Sequence, residues 1–460
     1  MQLSFFGAAQ TVTGSKHIIT LTTGRRILLD CGMFQGKGLK SEDLNGEFLF
    51  KPSSIDYLVL SHAHIDHCGL IPRLVNQGFA GSIFCTPPTL ELTKLLLEDS
   101  AGIQMSNAKS NESSETQGPL YTIEDVAKAL ELFRTVPYGE AFAIDEDVQL
   151  LFTDAGHILG SAIVNLTIRE DDKNRTLCYT GDIGRFNNRI LNPPQEFPQA
   201  EIIICEATYG DRLHDSIENT EERLLRIVKN TCVEKGGKLL IPAFSIGRTQ
   251  ELIFSLNKLA EDGLLPDVPV FVDSPLSVYA TEIMRGNQKY FNETMQEYIE
   301  FDPDPFGFSG LHFITDKDDS KMLNDLDKPC IIISASGMME GGRIRFHLRN
   351  NIADEKNTIL VTGYCEPSTL GGKISNGAEE VFIMGDQFPV KAEVVLMNEY
   401  SAHGDYGDIL KLLIRQDKDK IKQIFLVHGE KSTMSKFKSI LNESGFSRVE
   451  IAEFRMSYEV

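Results

Sequence analysis

The apolar strand predicted at residues 57–60 is followed directly by Ser61-His62-Ala63-His64-Ile65-Asp66-His67-Cys68-Gly69. This segment places three imidazoles and one carboxylate within six residues. A loop at a strand end lets side chains converge on one point from a rigid base. Nitrogen and carboxylate ligands without thiolates are typical of catalytic zinc sites, which keep one position open for water. We therefore expect His62 and His64 to serve one metal ion, and Asp66 and His67 to face a second.

Three further segments supply the ligands that this loop lacks. His157 lies in a turn bounded by glycines, Asp182 follows a predicted strand, and His428 stands at the end of another strand. Taken singly, such a histidine or aspartate is more often a capping or solvated group. Together they complete two metal sites, each with four protein ligands, if Asp182 bridges them.

The composition limits the class of protein. Lys plus Arg number 45 and Asp plus Glu number 66, which gives a formal net charge of −21. Such a chain is not a general binder of polyanions, so any nucleic acid must bind at a local basic patch. The eight cysteines are scattered without a Cys-x-x-Cys pair, which indicates reduced thiols and excludes a disulfide framework or a cysteine-based zinc site. We find no signal peptide and no apolar run of the ~20 residues that a membrane helix needs, and we expect a cytoplasmic protein.

The order of predicted elements indicates an inserted domain. The first part of the chain is rich in short strands, whereas helices and strands alternate from about residue 208. Such alternation predicts a parallel sheet with helices on its faces. After about residue 388 the chain returns to short alternating elements. We therefore predict one α/β domain made of residues 1–207 and 389–460, interrupted by a second α/β domain at 208–388.

At this point the motifs resemble a known family. The His-x-His-x-Asp-His pattern with its distant histidine, aspartate and late histidine resembles the metallo-β-lactamase fold. The segments 205–212, 401–405 and 427–429 resemble the three additional motifs of the β-CASP nucleases. That family includes the endonuclease subunit of the pre-mRNA 3′-end cleavage complex and its bacterial and archaeal relatives. The resemblance implies an αββα sandwich with an inserted parallel-sheet β-CASP domain.

The resemblance also implies a role for each site residue. Two Zn²⁺ ions per chain are implied, and Asp66 is counted among the catalytic residues as well as the ligands. Asp30 would orient the histidine loop without binding metal, which suits a carboxylate at a strand end. His403 would be the general acid and Glu206 its orienting partner. The implied ligands are His62, His64 and His157 for one zinc, Asp66, His67 and His428 for the other, and Asp182 between them.

The activity implied is that of a zinc-dependent ribonuclease. Water activated between two metals attacks phosphorus and leaves a 5′-phosphate and a 3′-hydroxyl. DNA-directed relatives tend to carry valine at the position of His428, whereas RNA-directed members carry histidine, so RNA is the implied partner. We expect the RNA to be single-stranded, the cleavage to be endonucleolytic, 5′-to-3′ exonucleolytic or both, and a homodimer to be possible. Further RNA-binding modules, such as a KH-like extension, are not expected.

Three glycine-rich strand–turn–helix segments of the inserted domain offer phosphate contacts. Free helix N-termini bind anions through their unpaired N–H groups. The third turn carries lysine where the family often has arginine, which weakens the case for a bidentate phosphate contact there. Simple helix caps remain the alternative for each turn taken alone. The candidate contacts are Ser245, Arg248, Ser336, Gly337, Arg343 and Lys373.

Two other functions remain open from the sequence. The fold alone would also allow a hydrolase for a small ester or thioester, since fold does not fix function. The large insert argues against this, because a small substrate needs no such lobe. A non-catalytic scaffold is the second alternative, and it is disfavoured because every ligand position is filled.

Overall fold

The computed structural model describes residues 1–36, 41–110, 118–171, 173–214 and 219–460. They form two compact units. The first contains the described residues of Met1–Gln35, Leu39–Leu213 and His403–Val460, and the second contains those of His214–Ala402 together with Gly36. The eight cysteines are free thiols. Within the described ranges, no helix is long and apolar enough to cross a membrane.

The strands are short. Those before the second unit are β1 (Gln2–Phe5), β2 (His17–Thr20), β3 (Arg26–Leu29), β4 (Tyr57–Val59), β5 (Ser82–Cys85), β6 (Phe133–Thr135), β7 (Phe142–Ala143), β8 (Val148–Asp154), β9 (Ala162–Glu170), β10 (Lys173–Tyr179) and β11 (Ile202–Glu206). Those of the second unit are β12 (Lys238–Pro242), β13 (Val270–Asp273), β14 (Leu311–Ile314), β15 (Cys330–Ser334), β16 (Thr358–Val361), β17 (Glu380–Ile383), β18 (Asp386–Pro389) and β19 (Glu393–Leu396). The chain then returns to the first unit with β20 (Gln423–Val427), β21 (Val449–Ile451) and β22 (Ser457–Glu459).

The helices are divided between the two units. The first unit begins with α1 (Ser41–Gly46), α2 (Ile65–Cys68), α3 (Ile71–Asn76), α4 (Pro87–Ser110) and α5 (Ile123–Leu130). The second contains α6 (Thr220–Val228), α7 (Arg248–Glu261), α8 (Pro275–Gly286), α9 (Glu293–Phe301), α10 (Lys317–Asp325), α11 (Ile344–Asn351) and α12 (Leu370–Ser375). The first unit ends with α13 (Tyr406–Leu413) and α14 (Lys431–Glu443). Short 3₁₀ turns occur at Pro52–Ser54, Gln288–Tyr290 and Asn398–Tyr400, and α6 continues as a π-helix over Lys229–Glu234.

The first unit is a four-layer sandwich. One seven-stranded sheet has the order β22-β1-β2-β3-β4-β5-β6, and the other has the order β21-β20-β11-β10-β9-β8-β7. Apolar side chains from both sheets, such as Phe5, Val59, Leu150 and Phe425, are buried in one shared cluster. Helices cover the two outer faces, each through its own buried cluster. This arrangement is the predicted αββα sandwich.

The second unit is built on a six-stranded parallel sheet. Its order is β14-β13-β15-β12-β16-β19, and all five pairings within it are parallel. Such a sheet needs helices on both faces, and its central strands are therefore continuously buried and largely apolar, as in Cys330–Ser334. The predicted parallel-sheet insert is thereby confirmed as a fold. Its limits at 208 and 388 stay a prediction, and the pairing of β16 with β19 favours a later C-terminal limit.

Candidate metal centre

Four strands of the second sheet of the sandwich end at the same edge. Strands β10, β11 and β20 are parallel to one another, and β8 has the same direction because both it and β10 are antiparallel to β9. The residues that follow these ends are His157 after β8, Asp182 after β10 and His428 after β20, while Glu206 is the last residue of β11. Residues more than 270 positions apart in the chain are thus brought together by strand direction alone.

The first sheet supplies the remaining residues in the same way. Strands β3 and β4 are parallel, so Asp30 and the loop beginning at Ser61 leave the same edge. The loop turns into the short helix α2, which carries Asp66 and His67. The backbone of Gly181 closely approaches the loop, because a Cβ atom there would lie 2.7 Å from the Cβ of Ser61. This glycine lets the strand ends of the two sheets meet.

The first donor cluster consists of three imidazoles and one carboxylate. His64 Nδ1 lies 3.1 Å from His62 Nε2 and 3.2 Å from His157 Nε2. Asp182 Oδ2 lies 3.5 Å from His62 Nε2 and 3.8 Å from His157 Nε2. His64 thus presents its Nδ1 atom, whereas the other two histidines present Nε2.

The second donor cluster shares Asp182 with the first. His428 Nε2 lies 3.3 Å from Asp66 Oδ2 and 3.4 Å from His67 Nε2. The distance from His67 Nε2 to Asp66 Oδ2 is 3.9 Å, and that to Asp182 Oδ2 is 3.4 Å. Oδ2 of Asp182 therefore lies within ligand spacing of both clusters, as a bridging carboxylate requires.

The spacing of the donor atoms fits a tetrahedral cation. A zinc ion bound at ~2.0–2.1 Å separates its ligand atoms by about 3.3 Å. The observed separations in the two clusters run from 3.1 to 3.9 Å. Moreover, Asp182 Oδ1 is buried and makes no hydrogen bond to any described residue, although His428 Nδ1 is 3.5 Å away. The residues present therefore fit a pair of divalent cations, and all seven predicted ligands are members of the two clusters.

The electrostatics of the centre also favour metal binding. Burial lowers the pKa of His62 well below its usual range and that of His64 to about 4, so both rings are neutral ligands. Burial opposes ionisation of Asp182, but the neighbouring His428 and His67 outweigh it and hold its pKa well below the usual range. Burial likewise opposes the charge on His67, yet Asp182 and Asp66 raise its pKa well above normal. A cation among these carboxylates would take the place of that proton.

Asp30 fixes which ring nitrogens face the centre. Its buried carboxylate accepts hydrogen bonds from the N–H and Oγ of Ser61, from Tyr179 Oη and from His67 Nδ1, all at 2.7 Å. Because Ser61 donates its hydroxyl proton to Asp30, its oxygen accepts from His62 Nδ1 at 3.0 Å. Both histidines therefore carry a proton on Nδ1, so Nε2 is the atom that each directs at the clusters and with which each would bind a metal ion. These contacts are the ones that the orienting role predicted for Asp30 requires, and the role itself stays a prediction.

His403 stands beside both clusters with a carboxylate behind it. Its Nδ1 lies 3.3 Å from Glu206 Oε1 and 4.0 Å from Asp182 Oδ2. Glu206 is fully buried and is held in place by the N–H groups of Ile183 and Thr208 at 2.6 and 3.2 Å. Burial works against protonation of His403, but Glu206 outweighs it and raises the pKa of His403. The ring is thus favoured as a proton donor.

Two residues of the centre adopt a left-handed backbone. Asp30 has φ = 58° and His428 has φ = 50°, and neither is glycine. Such conformations cost of order 1–3 kcal/mol and persist where the surroundings over-determine them. The main chain of His428 is held on both sides, since its N–H donates to Ala8 O and its carbonyl accepts from Ala207 N. The left-handed backbone at these two positions directs the side chains of Asp30 and His428 towards the centre.

The predicted phosphate contacts lie together in the second unit. The loops after β12, β15 and β16, which are neighbouring parallel strands, carry them at one edge of the sheet. Ser245 Oγ lies 3.3 Å from Ser274 Oγ, and Arg248 is buried at the start of α7. Gly337 packs on the ring of Phe244.

The other three candidates of this group differ in how exposed and engaged they are. The hydroxyl of Ser336 is bonded to the backbone of Gly341, and Lys373 is exposed on α12. Arg343 instead pairs with buried Asp273 at 2.7 Å and donates to two backbone carbonyls. That pairing uses donors which a phosphate would need, and it argues against Arg343 as a phosphate contact.

Sequence reasoning assigned no role to several residues that contact this centre, and two of them hydrogen-bond predicted site residues across strands. Tyr179 Oη donates to Asp30, and Thr208 Oγ1 lies 2.9 Å from His428 Nδ1. Both stand next to predicted site residues in the chain, three residues before Asp182 and two after Glu206. Their position beside a motif was the available signal, but their partners belong to other strands.

The fold and this donor set define a metal-dependent hydrolase of the metallo-β-lactamase superfamily. The sequence model of the metallo-beta-lactamase superfamily matches residues 17–230. A model described as the Beta-Casp domain matches residues 249–374, and one described as the Zn-dependent metallo-hydrolase RNA specificity domain matches residues 387–452.

Comparison with curated proteins makes the assignment more specific. Ribonuclease TTHA0252 of Thermus thermophilus is 34% identical over 454 residues, which cover 99% of each chain. An RNase J-like protein of Methanocaldococcus jannaschii is 32% identical over 93% of this chain and 92% of its own. Transcription termination factor FttA of the same organism is 33% identical over 94% of this chain and 67% of its own. The chain therefore belongs to the β-CASP family of metallo-β-lactamase-fold proteins.

Proposed function

We propose that this protein is a dizinc ribonuclease that hydrolyses RNA phosphodiester bonds. The observation that carries the proposal is the pair of donor clusters, with Asp182 of the first only 3.4 Å from His67 of the second and with His403 and Glu206 at their side. Each cluster offers only imidazole and carboxylate atoms, a set that suits catalytic zinc. The ligands are those of the two clusters, with His62, His64 and His157 in one and Asp66, His67 and His428 in the other.

The residues of the chain divide the chemistry between them. Two zinc ions held by these ligands would supply the Lewis acidity for attack of water at phosphorus and for neutralising charge on phosphate oxygens. His403 delivers a proton to the departing 3′-oxygen, since an alkoxide is a poor leaving group. Glu206 holds the ring of His403 and raises its pKa against the effect of burial, which favours the protonated form. Attack at phosphorus then leaves a 5′-phosphate and a 3′-hydroxyl.

RNA is the proposed substrate for two reasons. Two of the relatives described above carry ribonuclease names and match this chain over more than nine-tenths of both lengths. His428 also fills a ligand position at which DNA-directed family members tend to carry valine. We propose single-stranded RNA as the bound form, with Ser245, Arg248, Ser336, Gly337 and Lys373 as phosphate contacts. The names of the relatives disfavour a small ester or thioester as substrate. A homodimer and a cytoplasmic location stay predictions.

The test uses RNA labelled at either end. Zinc-loaded protein should shorten both substrates, with mononucleotides indicating exonucleolytic and discrete internal fragments endonucleolytic cleavage. His403→Ala should keep its zinc and lose activity by about 10²–10⁴-fold. His312→Ala serves as the matched control, because His312 lies in β14 of the second unit, outside the centre. Intact RNA with a zinc-loaded protein, or full activity of His403→Ala, would contradict the proposal.

A further inference from the structure

Tyr179 joins the two sheets of the sandwich directly behind the metal centre. It is the last residue of β10 in the second sheet, whereas its hydrogen-bond partner Asp30 follows β3 in the first sheet. Its ring is almost fully buried in the core between the sheets and stands edge-on to the ring of His17, 5.5 Å away. The phenol is thus a polar group that crosses an otherwise apolar interface.

The direction of this hydrogen bond follows from the chemistry of the two groups. Oδ2 of Asp30 is the oxygen that also accepts from His67 Nδ1 and from Ser61 Oγ. A carboxylate only accepts, and burial raises the pKa of the Tyr179 phenol above its ordinary value, so the phenol keeps its proton at neutral pH and donates. Without this donor, the carboxylate would be held through the first sheet only.

We infer that Tyr179 is a positioning residue that sets the spacing between the donor atoms of the two sheets. Asp182 follows Tyr179 by three residues on the second sheet, and His67 is held by Asp30 on the first. Asp182 Oδ2 and His67 Nε2 lie 3.4 Å apart, which is ligand spacing. A rigid link of 2.7 Å between Tyr179 Oη and Asp30 Oδ2 ties these two positions together. The inference rests on the proposed metal centre and adds a determinant of its affinity.

The metal affinity of the cluster that contains His67 should depend on the hydrogen bond between Tyr179 and Asp30 more than the affinity of the cluster that contains His62. His67 contacts Asp30 directly, whereas His62 is reached only through Ser61. Loss of a partner that orients a ligand typically lowers metal affinity by about 10–100-fold. We therefore expect Tyr179→Phe to weaken one of two zinc-binding steps by that factor and to leave the other nearly unchanged.

The chain offers a matched control in Tyr121. This tyrosine of the first unit is also buried, and its hydroxyl donates to Ser100 Oγ at 2.8 Å, within the cluster outside the first sheet. Tyr179→Phe and Tyr121→Phe each remove one buried phenol hydroxyl and keep the ring. Both apoproteins should therefore unfold at similarly lowered denaturant concentrations, which separates stability from metal affinity.

The experiment is a zinc titration of full-length apoprotein in a chelator-buffered series, with bound zinc measured by elemental analysis. The inference expects two equivalents for wild type and Tyr121→Phe at equal affinity, and a 10–100-fold weaker second equivalent for Tyr179→Phe. It is overturned if Tyr179→Phe binds as wild type does, or if Tyr121→Phe is weakened by the same factor. Wild type that fails to bind two equivalents overturns the proposed function instead. Combining Tyr179→Phe with Asp30→Asn should weaken binding no further than Asp30→Asn alone.

Discussion

Glu206 Oε1 lies 3.3 Å from His403 Nδ1, and the same oxygen accepts the N–H of Ile183 at 2.6 Å. The carboxylate is therefore fixed by the backbone that leads away from Asp182. Because Glu206 is fully buried, its charge acts on His403 with little screening by water. Proton donation by His403 is thus coupled to the strand end that carries the bridging carboxylate.

Glu206→Gln should shift the pH dependence of RNA cleavage. Glu206 raises the pKa of His403 against the effect of burial, so the ring stays protonated to a higher pH than an ordinary histidine. A general acid works below its pKa and fails above it. Removing the carboxylate charge lowers that pKa, so activity should be lost at a lower pH. The measurement is the alkaline limb of the single-turnover rate between pH 6 and about 9.

The control for this shift is Glu196→Gln, an exposed position in the same unit whose carboxylate pairs with Arg415 at the surface. Its profile should match that of wild type. An alkaline limb that stays in place in Glu206→Gln, with zinc fully bound, would contradict the assignment of Glu206 as the partner of His403.

Substitution of the shared carboxylate Asp182 should weaken the binding of more zinc ions than substitution of a ligand that belongs to one cluster. Asp182 Oδ2 lies 3.5 Å from His62 Nε2 in one cluster and 3.4 Å from His67 Nε2 in the other. Asp182→Asn should therefore weaken both zinc equivalents, whereas His64→Ala should weaken one. Elemental analysis after dialysis against a chelator measures the difference. Equal zinc content in the two variants would rule out a bridging role.

Part of the metal centre can be predicted from the sequence, and part of it cannot. The spacing around His62 is local, so the chain itself brings those ligands together. The convergence of His157, Asp182 and His428 follows from the shared direction of strands, which strand-end positions already indicate. The link between Tyr179 and Asp30 depends on which residues of two sheets face each other across a core. No pattern within one strand contains that information.

The position of Arg343 illustrates the same limit. A glycine-rich turn followed by arginine predicts a phosphate contact, and nothing local indicates a buried carboxylate nearby. Its partner Asp273 ends β13, the strand next to β15, and is itself fully buried. Only the order of strands in the sheet brings the two together. The local motif thus indicates that Arg343 contacts an anionic group, but it does not indicate which one.

Asp273→Asn should destabilise the second unit. Asp273 accepts from Arg343 at 2.7 Å, from His347 Nε2 at 2.6 Å and from Ser320 Oγ at 2.5 Å. Removing one partner of a buried ion pair costs on the order of 3 kcal/mol, because the other charge is left without compensation. Denaturant unfolding at pH 7 measures the loss. The control is the exposed Asp318→Asn, which should leave the unfolding midpoint unchanged.

The stability that the Asp273 carboxylate contributes should depend on pH. Burial works against ionisation of Asp273, but the hydrogen bonds from His347, Ser320 and Arg343 outweigh it and lower its pKa. A carboxyl with a depressed pKa contributes stability above its unfolded value, and that contribution is lost as the pH falls through the folded value. The difference in unfolding midpoint between wild type and Asp273→Asn should therefore shrink below about pH 4. A difference that grows on acidification would refute this account.

Lys373→Ala should weaken RNA binding without loss of stability. Lys373 is exposed in the first turns of α12, whose N-terminus is capped by Thr369 Oγ1 on the N–H of Gly372. If its ammonium neutralises one phosphate, the slope of log affinity against log salt should become shallower by about 1. Filter binding of single-stranded RNA to a cleavage-inactive His403→Ala protein, over a series of salt concentrations, gives this slope.

Lys317→Ala is the matched control, since Lys317 is an exposed lysine of another helix in the same unit. Equal slopes for the two lysine variants would remove Lys373 from the binding surface. In a chain of net charge −21, affinity must come from a few such cations set close to the substrate.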